Sequence, residues 1–396
     1  MTEYTPIYLD HMATTPIDPR VLDEMLPYMT LNFANAASKS HRAGQSARDA
    51  VERARQRVAN LYGCEPLEVI FTSGATESNN LALKGLAESY PQKKHVLSSP
   101  IEHPSVLDTL DYLKTKGFQV ELLKVDTLGN VNLDHLKSAI RPETLAVSIM
   151  AVNNEIGTLQ DLEAIGQITR SQQAFFHCDV TQMFGKLPLD VNRAQIDLAS
   201  CSAHKCHGPK GVGALFIRRK HPRVRLAPQL HGGGHERGYR SGTLNIPGVV
   251  GFGQACNIAR SEMAKDEAHA RLLAKMFLNV WGQTTLDFEI LGHPIQRLPQ
   301  NLNLHIPGVH IGKVLEAMPE VALSVGSACS AIKDRPSHVL RAIGKSFDEA
   351  RSCLRIGFGR FNSLDEVESV AKRLAGLIQS AEEKGWTMQD SPHCEL

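Results

Sequence analysis

The sequence predicts an α/β fold, a mostly parallel sheet wrapped by helices and followed by a smaller α+β segment. Two observations carry this expectation. From Val51 to Arg218, apolar runs of strand length alternate with stretches of helical periodicity, the pattern of right-handed strand–helix–strand crossovers. After His231 the chain changes character: Gly232-Gly233-Gly234 leads into a long helical segment, and the last third mixes short strands with helices.

Within the first part, Ala47, Val51, Ala54, Val58 and Leu61 recur at steps of four and three, which predicts one buried helical stripe. Strands are expected over 68–73, 95–99, 119–125, 145–152, 175–180, 197–202 and 213–218, and helices over 77–89, 105–116, 133–140 and 162–171. The long helix is expected over 247–283. Beyond it, strands are expected over 301–306, 322–327 and 354–358, with helices over 312–318, 337–343 and 365–384.

Of the 396 residues, 42% are hydrophobic and 21% charged, which fits a globular protein and argues against disorder. Forty-three Lys+Arg against 42 Asp+Glu leave a formal charge of +1, so no global field draws the chain to nucleic acid or anionic lipid. A small ligand is expected. The eight cysteines are scattered with no C-x-x-C pair, which disfavours a zinc ribbon or a disulfide framework and points to a reducing, cytoplasmic compartment. No basic start followed by an apolar core opens the chain, and no run approaches the roughly 18 apolar residues of a membrane span, so a soluble protein is expected.

Three strand ends carry candidate chemistry. Phe175-Phe176-His177-Cys178-Asp179 is an apolar strand closing on a carboxylate, where parallel sheets bind ligands; read alone, Asp179 equally caps a turn. Ser202-Ala203-His204-Lys205 closes the next strand, and Gly208-Pro209-Lys210-Gly211 turns the chain again; a lysine there is held rigidly or simply solvated. A lysine for a Schiff base and an acid for a pyridine nitrogen are together what pyridoxal phosphate requires. Val69-Ile70-Phe71-Thr72 runs through Ser73-Gly74-Ala75-Thr76-Glu77 into a helix, a turn whose small residues and helix N-terminus suit a phosphate or serve as a plain cap.

These segments, with Ala13-Thr14-Thr15-Pro16, Glu102-His103, Val152-Asn153-Asn154-Glu155-Ile156-Gly157, His231-Gly232-Gly233-Gly234-His235-Glu236-Arg237-Gly238, Arg240-Ser241-Gly242-Thr243 and Gly326-Ser327-Ala328-Cys329, resemble the NifS/IscS-type cysteine desulfurases. That group belongs to the class-V aminotransferase family of fold-type-I pyridoxal-phosphate enzymes, and the resemblance runs from Tyr8 to Phe361. It implies a cysteine desulfurase that takes sulfur from L-cysteine as a persulfide on Cys329, releases L-alanine, and passes the sulfur to acceptor proteins for Fe–S assembly or tRNA thiolation. A selenocysteine lyase or a class-V aminotransferase on the same scaffold is the alternative. The resemblance further implies an arm over 1–16 packing with the small domain, a large cofactor domain over 17–260, and a small domain over 261–396 with a mobile Cys329 loop.

Carried over by residue, the resemblance implies that Lys205 holds the cofactor and moves substrate protons, Asp179 holds the pyridinium proton, and His103 stacks on the ring. Gln182 would bond the phenolic oxygen. Ala75, Thr76, Ser202 and His204 would bind the phosphate, joined by Thr243 of a second copy, which implies a homodimer. Asn154, at the cofactor, and Arg355 would hold the substrate carboxylate. No metal is expected: Cys206 and His207 stand side by side, an arrangement that rarely ligates one ion. Cys329 lies among small polar residues, unlike Cys201, Cys256 and Cys353, which are expected to be buried. The chain departs from the family at Ala34-Asn35-Ala36, at Met12, beside Lys205, and in a short tail ending at Leu396.

Overall fold

The computed structural model describes residues 6–325 and 337–388. Cys329 and its loop lie outside the described residues. Seven strands form the central sheet, in the order Val69–Thr72, Gly213–Ile217, Leu198–Ser202, Phe175–Asp179, Thr144–Ser148, His95–Ser98 and Gln119–Leu122. Gly213–Ile217 alone among them runs antiparallel to its neighbours. The other six therefore point their carboxyl ends the same way. Val69–Thr72, His95–Ser98 and Thr144–Ser148 are buried along their whole length, as strands covered by helices on both faces must be.

The helix Arg42–Tyr62 forms where the alanine–valine stripe predicts it and ends at Gly63, whose φ of 74° suits a left-handed cap. Its small residues let a neighbour come close. A Cβ on Gly253 would stand 2.6 Å from the Ala54 Cα, so glycine is what allows the helix Ile246–Trp281 to lie against it. That 36-residue helix joins two apolar clusters. Val249, Phe252 and Cys256 belong to the cluster under the large sheet, while Leu273, Phe277 and Trp281 pack with Leu9, Leu304, Ile356 and Val370. The second cluster backs an antiparallel sheet ordered Ser324–Val325, Cys353–Gly357, Asn301–His305 and Glu289–Ile290. Ile7–Tyr8 pairs in parallel with Val321–Ala322.

Two helices were not legible in the sequence. Pro19–Thr30 carries Pro27 in its interior, a breaker signal, yet its entry is capped by Asp18, whose side chain accepts from the Arg20 N–H. Phe347–Arg351 is only five residues, opened by a capping box of Ser346 and Glu349. Cys178, Cys201, Cys206, Cys256 and Cys353 are buried with free thiols. No helix of the described residues is long and apolar enough to cross a membrane.

One ion pair locks the glycine-rich segment onto the sheet. Glu236 is buried and takes two bonds of 2.7 Å from the Arg55 guanidinium and one of 2.8 Å from the Phe71 N–H. Removing one partner of a buried pair strands the other charge, which is far costlier than losing a surface bridge. Glu236→Ala is therefore expected to lower unfolding free energy by about 3–5 kcal/mol, read from urea unfolding; a change below about 1 kcal/mol, the surface-pair range, would contradict this.

Candidate active site

A cavity of about 540 Å³ opens at the carboxyl ends of the parallel strands, the place where open α/β sheets bind ligands. It gathers turns from five strand ends. Strand Phe175–Asp179 delivers Asp179, which is 5% exposed and must find donors for its carboxylate. Oδ1 accepts from the Thr181 N–H at 3.0 Å and Oδ2 from Asn79 Nδ2 at 2.8 Å.

Asn79 ties that carboxylate to a histidine. Its Nδ2 also donates to Ser105 Oγ at 2.8 Å, and Ser105 Oγ lies 2.8 Å from His103 Nδ1. The Ser105 N–H donates to the same ring nitrogen at 3.1 Å, so Nδ1 is an acceptor and the neutral imidazole carries its proton on Nε2. Burial lowers the His103 pKa below its ordinary value, opposed by the nearby Asp179 charge and aided by Lys205. At neutral pH the ring is uncharged.

Lys205 follows strand Leu198–Ser202 in a short turn, Ala203–Lys205, and its Nζ donates to the carbonyls of Met12 at 2.5 Å and Ala13 at 2.6 Å. Beside it, His204 Nδ1 lies 3.0 Å from Thr14 Oγ1; burial, with the charges of Lys205, Lys210 and Lys186, brings the His204 pKa down to about 4.

The helix Ala75–Ser89 starts at Gly74, which has a φ of 153° and no side chain to cap the first turn. The N–H groups there thus face the cavity side without a capping oxygen, at the positive end of a 15-residue helix. The closeness of this turn to the neighbouring strand also requires glycine. A Cβ on Gly213 would stand 2.7 Å from the Gly74 Cα.

At the opposite rim, Arg355 comes from strand Cys353–Gly357 and is 2% exposed. Its Nη2 pairs with Asp10 Oδ1 at 2.8 Å, Nη1 reaches the Asn154 carbonyl at 3.5 Å, and Nε has no hydrogen-bond partner among the described residues. A fork with donors to spare and one fixing carboxylate suits a small carboxylate ligand.

Of the residues singled out in the sequence, Ala75, Thr76, His103, Asn154, Asp179, Gln182, Ser202, His204, Lys205 and Arg355 all line the cavity. Thr243 does not; it is exposed at the surface. Cys329 falls outside the described residues. Asn79 and Ser105 were missed, although an amide inside a helix otherwise buried by Leu81, Ala82 and Leu83 is itself a signal. Glu102 and Glu155 were missed as well. Burial pushes the Glu102 carboxyl up to about 8 while it accepts from Ser99 Oγ at 2.6 Å, and Glu155 accepts from Ser337 Oγ.

An amine, a buried acid, an uncapped helix N-terminus and a guanidinium fixed by Asp10 in one cavity fit a fold-type-I pyridoxal-phosphate architecture. The chain belongs to the aminotransferase class-V family, whose model matches residues 7–370. Within that family it is similar to cysteine desulfurases. It is 48% identical to the cysteine desulfurase IscS of Neisseria meningitidis serogroup C, over 96% of this chain and 93% of the relative. The identity to the IscS of Rickettsia bellii is also 48%, over 94% of this chain and 91% of the relative. Among solved structures it resembles a NifS-like protein with TM-score 0.87 at 36% identity, covering 94% of this chain and 99% of that one. It also resembles SspA in complex with cysteine, with TM-score 0.80 at 37% identity, covering 90% and 100%.

The Asn79 amide serves both Asp179 and Ser105. Asn79→Ala is expected to destabilise the protein by about 1–3 kcal/mol, the range for stranding buried polar groups, as read by chemical unfolding. An unchanged midpoint would mean that neither bond contributes.

Proposed function

We propose that the protein is a pyridoxal-phosphate-dependent cysteine desulfurase in which Lys205 carries the cofactor and Cys329 receives the sulfur. The observation that supports this reading best is the meeting of Lys205 with Asp179 and the Gly74–Thr76 turn around one cavity. The donor set fits the cofactor: an amine for its aldehyde, a buried carboxylate for its ring nitrogen, and uncapped backbone N–H groups with Thr76, Ser202 and His204 for its phosphate. Bound there, pyridoxal phosphate supplies a ring that withdraws electrons from the amino acid's Cα and weakens its C–S bond.

The chain's own groups do the rest. Arg355 and Asn154 hold the L-cysteine carboxylate, Asp179 keeps a proton on the ring nitrogen, and Gln182 orients the phenolic oxygen. Lys205, released from the Met12 and Ala13 carbonyls, takes the Cα proton, and His103, uncharged at neutral pH, stacks over the ring and assists the transfer. The Cys329 thiolate attacks the substrate sulfur. An S–S bond forms as the C–S bond breaks, carbon keeps the electron pair and is protonated, and L-alanine leaves with one sulfur retained on Cys329.

Delivery to an acceptor protein, for Fe–S cluster assembly or tRNA thiolation, completes this reading in a cytoplasmic homodimer. Support for a second copy comes from the apolar run Leu22, Leu26, Met29, Leu31 and Phe33, all exposed, and from exposed Thr243, which would reach the partner's phosphate site. The arm 1–16, large domain 17–260 and small domain 261–396 remain the proposed division.

Mass spectrometry after L-cysteine addition tests the reading. Wild type is expected to gain one sulfur on the Cys329 peptide and release alanine, Cys329→Ala to do neither, and Lys205→Ala to lose the yellow cofactor colour. Alanine release undiminished in Cys329→Ala would contradict it.

A further inference from the structure

A second imidazole lines the cavity and has no part in the reaction above. His338 opens the helix His338–Ala342, whose cap is Ser337. The Ser337 hydroxyl accepts from the Leu340 N–H at 3.1 Å and donates to Glu155 Oε2. Glu155 is itself buried, and its peptide carbonyl takes bonds from the Asn301 amide at 3.1 Å and the Asn303 amide at 3.0 Å. On its inner side the helix packs Val339 and Leu340 with Ile101 and Ile156, the chain neighbours of Glu102 and Glu155. The backbone of His338 is thereby fixed to both turns.

The ring is oriented as firmly as the helix. His338 Nε2 lies 2.8 Å from the Glu102 carbonyl. A carbonyl oxygen only accepts, so Nε2 carries the hydrogen and the neutral ring keeps its lone pair on Nδ1. Among the described residues nothing bonds that Nδ1. His103, next to Glu102, is the converse case: the Ser105 N–H occupies its Nδ1, so it offers a ligand only the Nε2 hydrogen. His204, also in the cavity, has Nδ1 at 3.0 Å from Thr14 Oγ1 and stands beside Lys205. His338 is tied through the Glu102 carbonyl to the turn of His103, and through Ser337 to the turn of Asn154 and Glu155. It therefore stands at the rim assigned above to the substrate carboxylate.

In the proposed reaction the amine, carboxylate and Cα hydrogen of L-cysteine each have a partner, and the hydrogen of its thiol has none. We propose that His338 is a catalytic residue for that thiol: its Nδ1 accepts the S–H hydrogen of bound L-cysteine, takes the proton as sulfur passes to Cys329, and returns it to the carbon that sulfur leaves. An N–H bond forms as the S–H bond breaks. The S–S bond to Cys329 forms as the C–S bond breaks, and the electron pair stays on carbon, which the proton then reaches to complete the methyl group of L-alanine. The Cys329 sulfur is oxidised to the persulfide level by the same electron pair that reduces carbon. The persulfide keeps the negative charge of the thiolate, and His338 ends as it began.

The proposal rests on the reading of the chain as a cysteine desulfurase, and its test separates the two. In holoprotein carrying Cys329→Ala, where sulfur has no acceptor, two ligands are compared through the fast change in cofactor absorbance: L-cysteine, and L-2-aminobutyrate, which has a methyl in place of the thiol. His338→Gln keeps a donor for the Glu102 carbonyl but places no acceptor at Nδ1. It is expected to weaken L-cysteine about fivefold, the worth of one neutral hydrogen bond, and to leave L-2-aminobutyrate unchanged. With Cys329 intact, the same substitution is expected to slow the gain of sulfur on Cys329 about a hundredfold at saturating L-cysteine, read by mass spectrometry. Iodoacetamide is expected to alkylate Cys329 of the substrate-free variant at the wild-type rate. Should His338→Gln fail to fold, His338→Asn serves: it offers an oxygen near the place of Nδ1 but takes no proton, so the ligand preference is expected to survive and the sulfur gain to slow. Equal losses for the two ligands with His338→Gln, an undiminished rate of sulfur gain, or alkylation slowed in step with sulfur gain would overturn the proposal. Wild type that gains no sulfur on Cys329 would instead remove the reading beneath it, and the proposal with it.

Discussion

A single buried carboxylate organises the site. Asp179 lies at the end of a central strand, almost fully removed from water, and a carboxylate in that position is tolerable only with fixed donors. The donors are the Thr181 N–H and the Asn79 amide, and supplying them constrains two further elements. Asn79 comes from the helix Ala75–Ser89, whose uncapped N-terminus after Gly74 lines the same cavity. The same amide reaches Ser105 and through it sets the tautomer of His103. Asp179, the helix N-terminus at Gly74 and His103 are thus tied together by one hydrogen-bond network.

The sheet makes this convergence possible. Six strands share a direction, so the turns bearing Asp179, Lys205 and the Gly74 segment all open on one edge, although 130 residues separate Ala75 from Lys205 in the chain of 396. The antiparallel strand Gly213–Ile217 fills the space between Val69–Thr72 and Leu198–Ser202, and its glycine lets the Gly74 turn approach. Arg55 and Glu236 then clamp the glycine-rich segment against the same edge strand. Arg355 enters from the other sheet, held by Asp10 of the N-terminal segment, so this rim of the cavity depends on chain from both ends of the sequence.

Much of this was legible beforehand, for physical reasons. Strand-length apolar runs and the alanine–valine stripe are written in side-chain periodicity, which burial enforces, and the central strands and the helix Arg42–Tyr62 followed from it. Pro19–Thr30 escaped because Pro27 reads as a breaker, and Phe347–Arg351 because five residues hold too little periodicity. At the site, Asp179 and Lys205 stood out by their place at strand ends, and the family resemblance carried Gln182, His204, Asn154 and Arg355. Asn79 meets Ser105 and Asp179 across 26 and 100 residues, and Glu102 is set apart by its burial, neither of which is written in the local sequence.

The most direct test of the central claim is a crystal structure of the protein reconstituted with pyridoxal phosphate. The account predicts continuous density from Lys205 Nζ to the cofactor, with the ring nitrogen against Asp179 and the phosphate at the Gly74–Thr76 turn. Cofactor joined to another lysine such as Lys186 or Lys210, or a ring nitrogen turned away from Asp179, would contradict it.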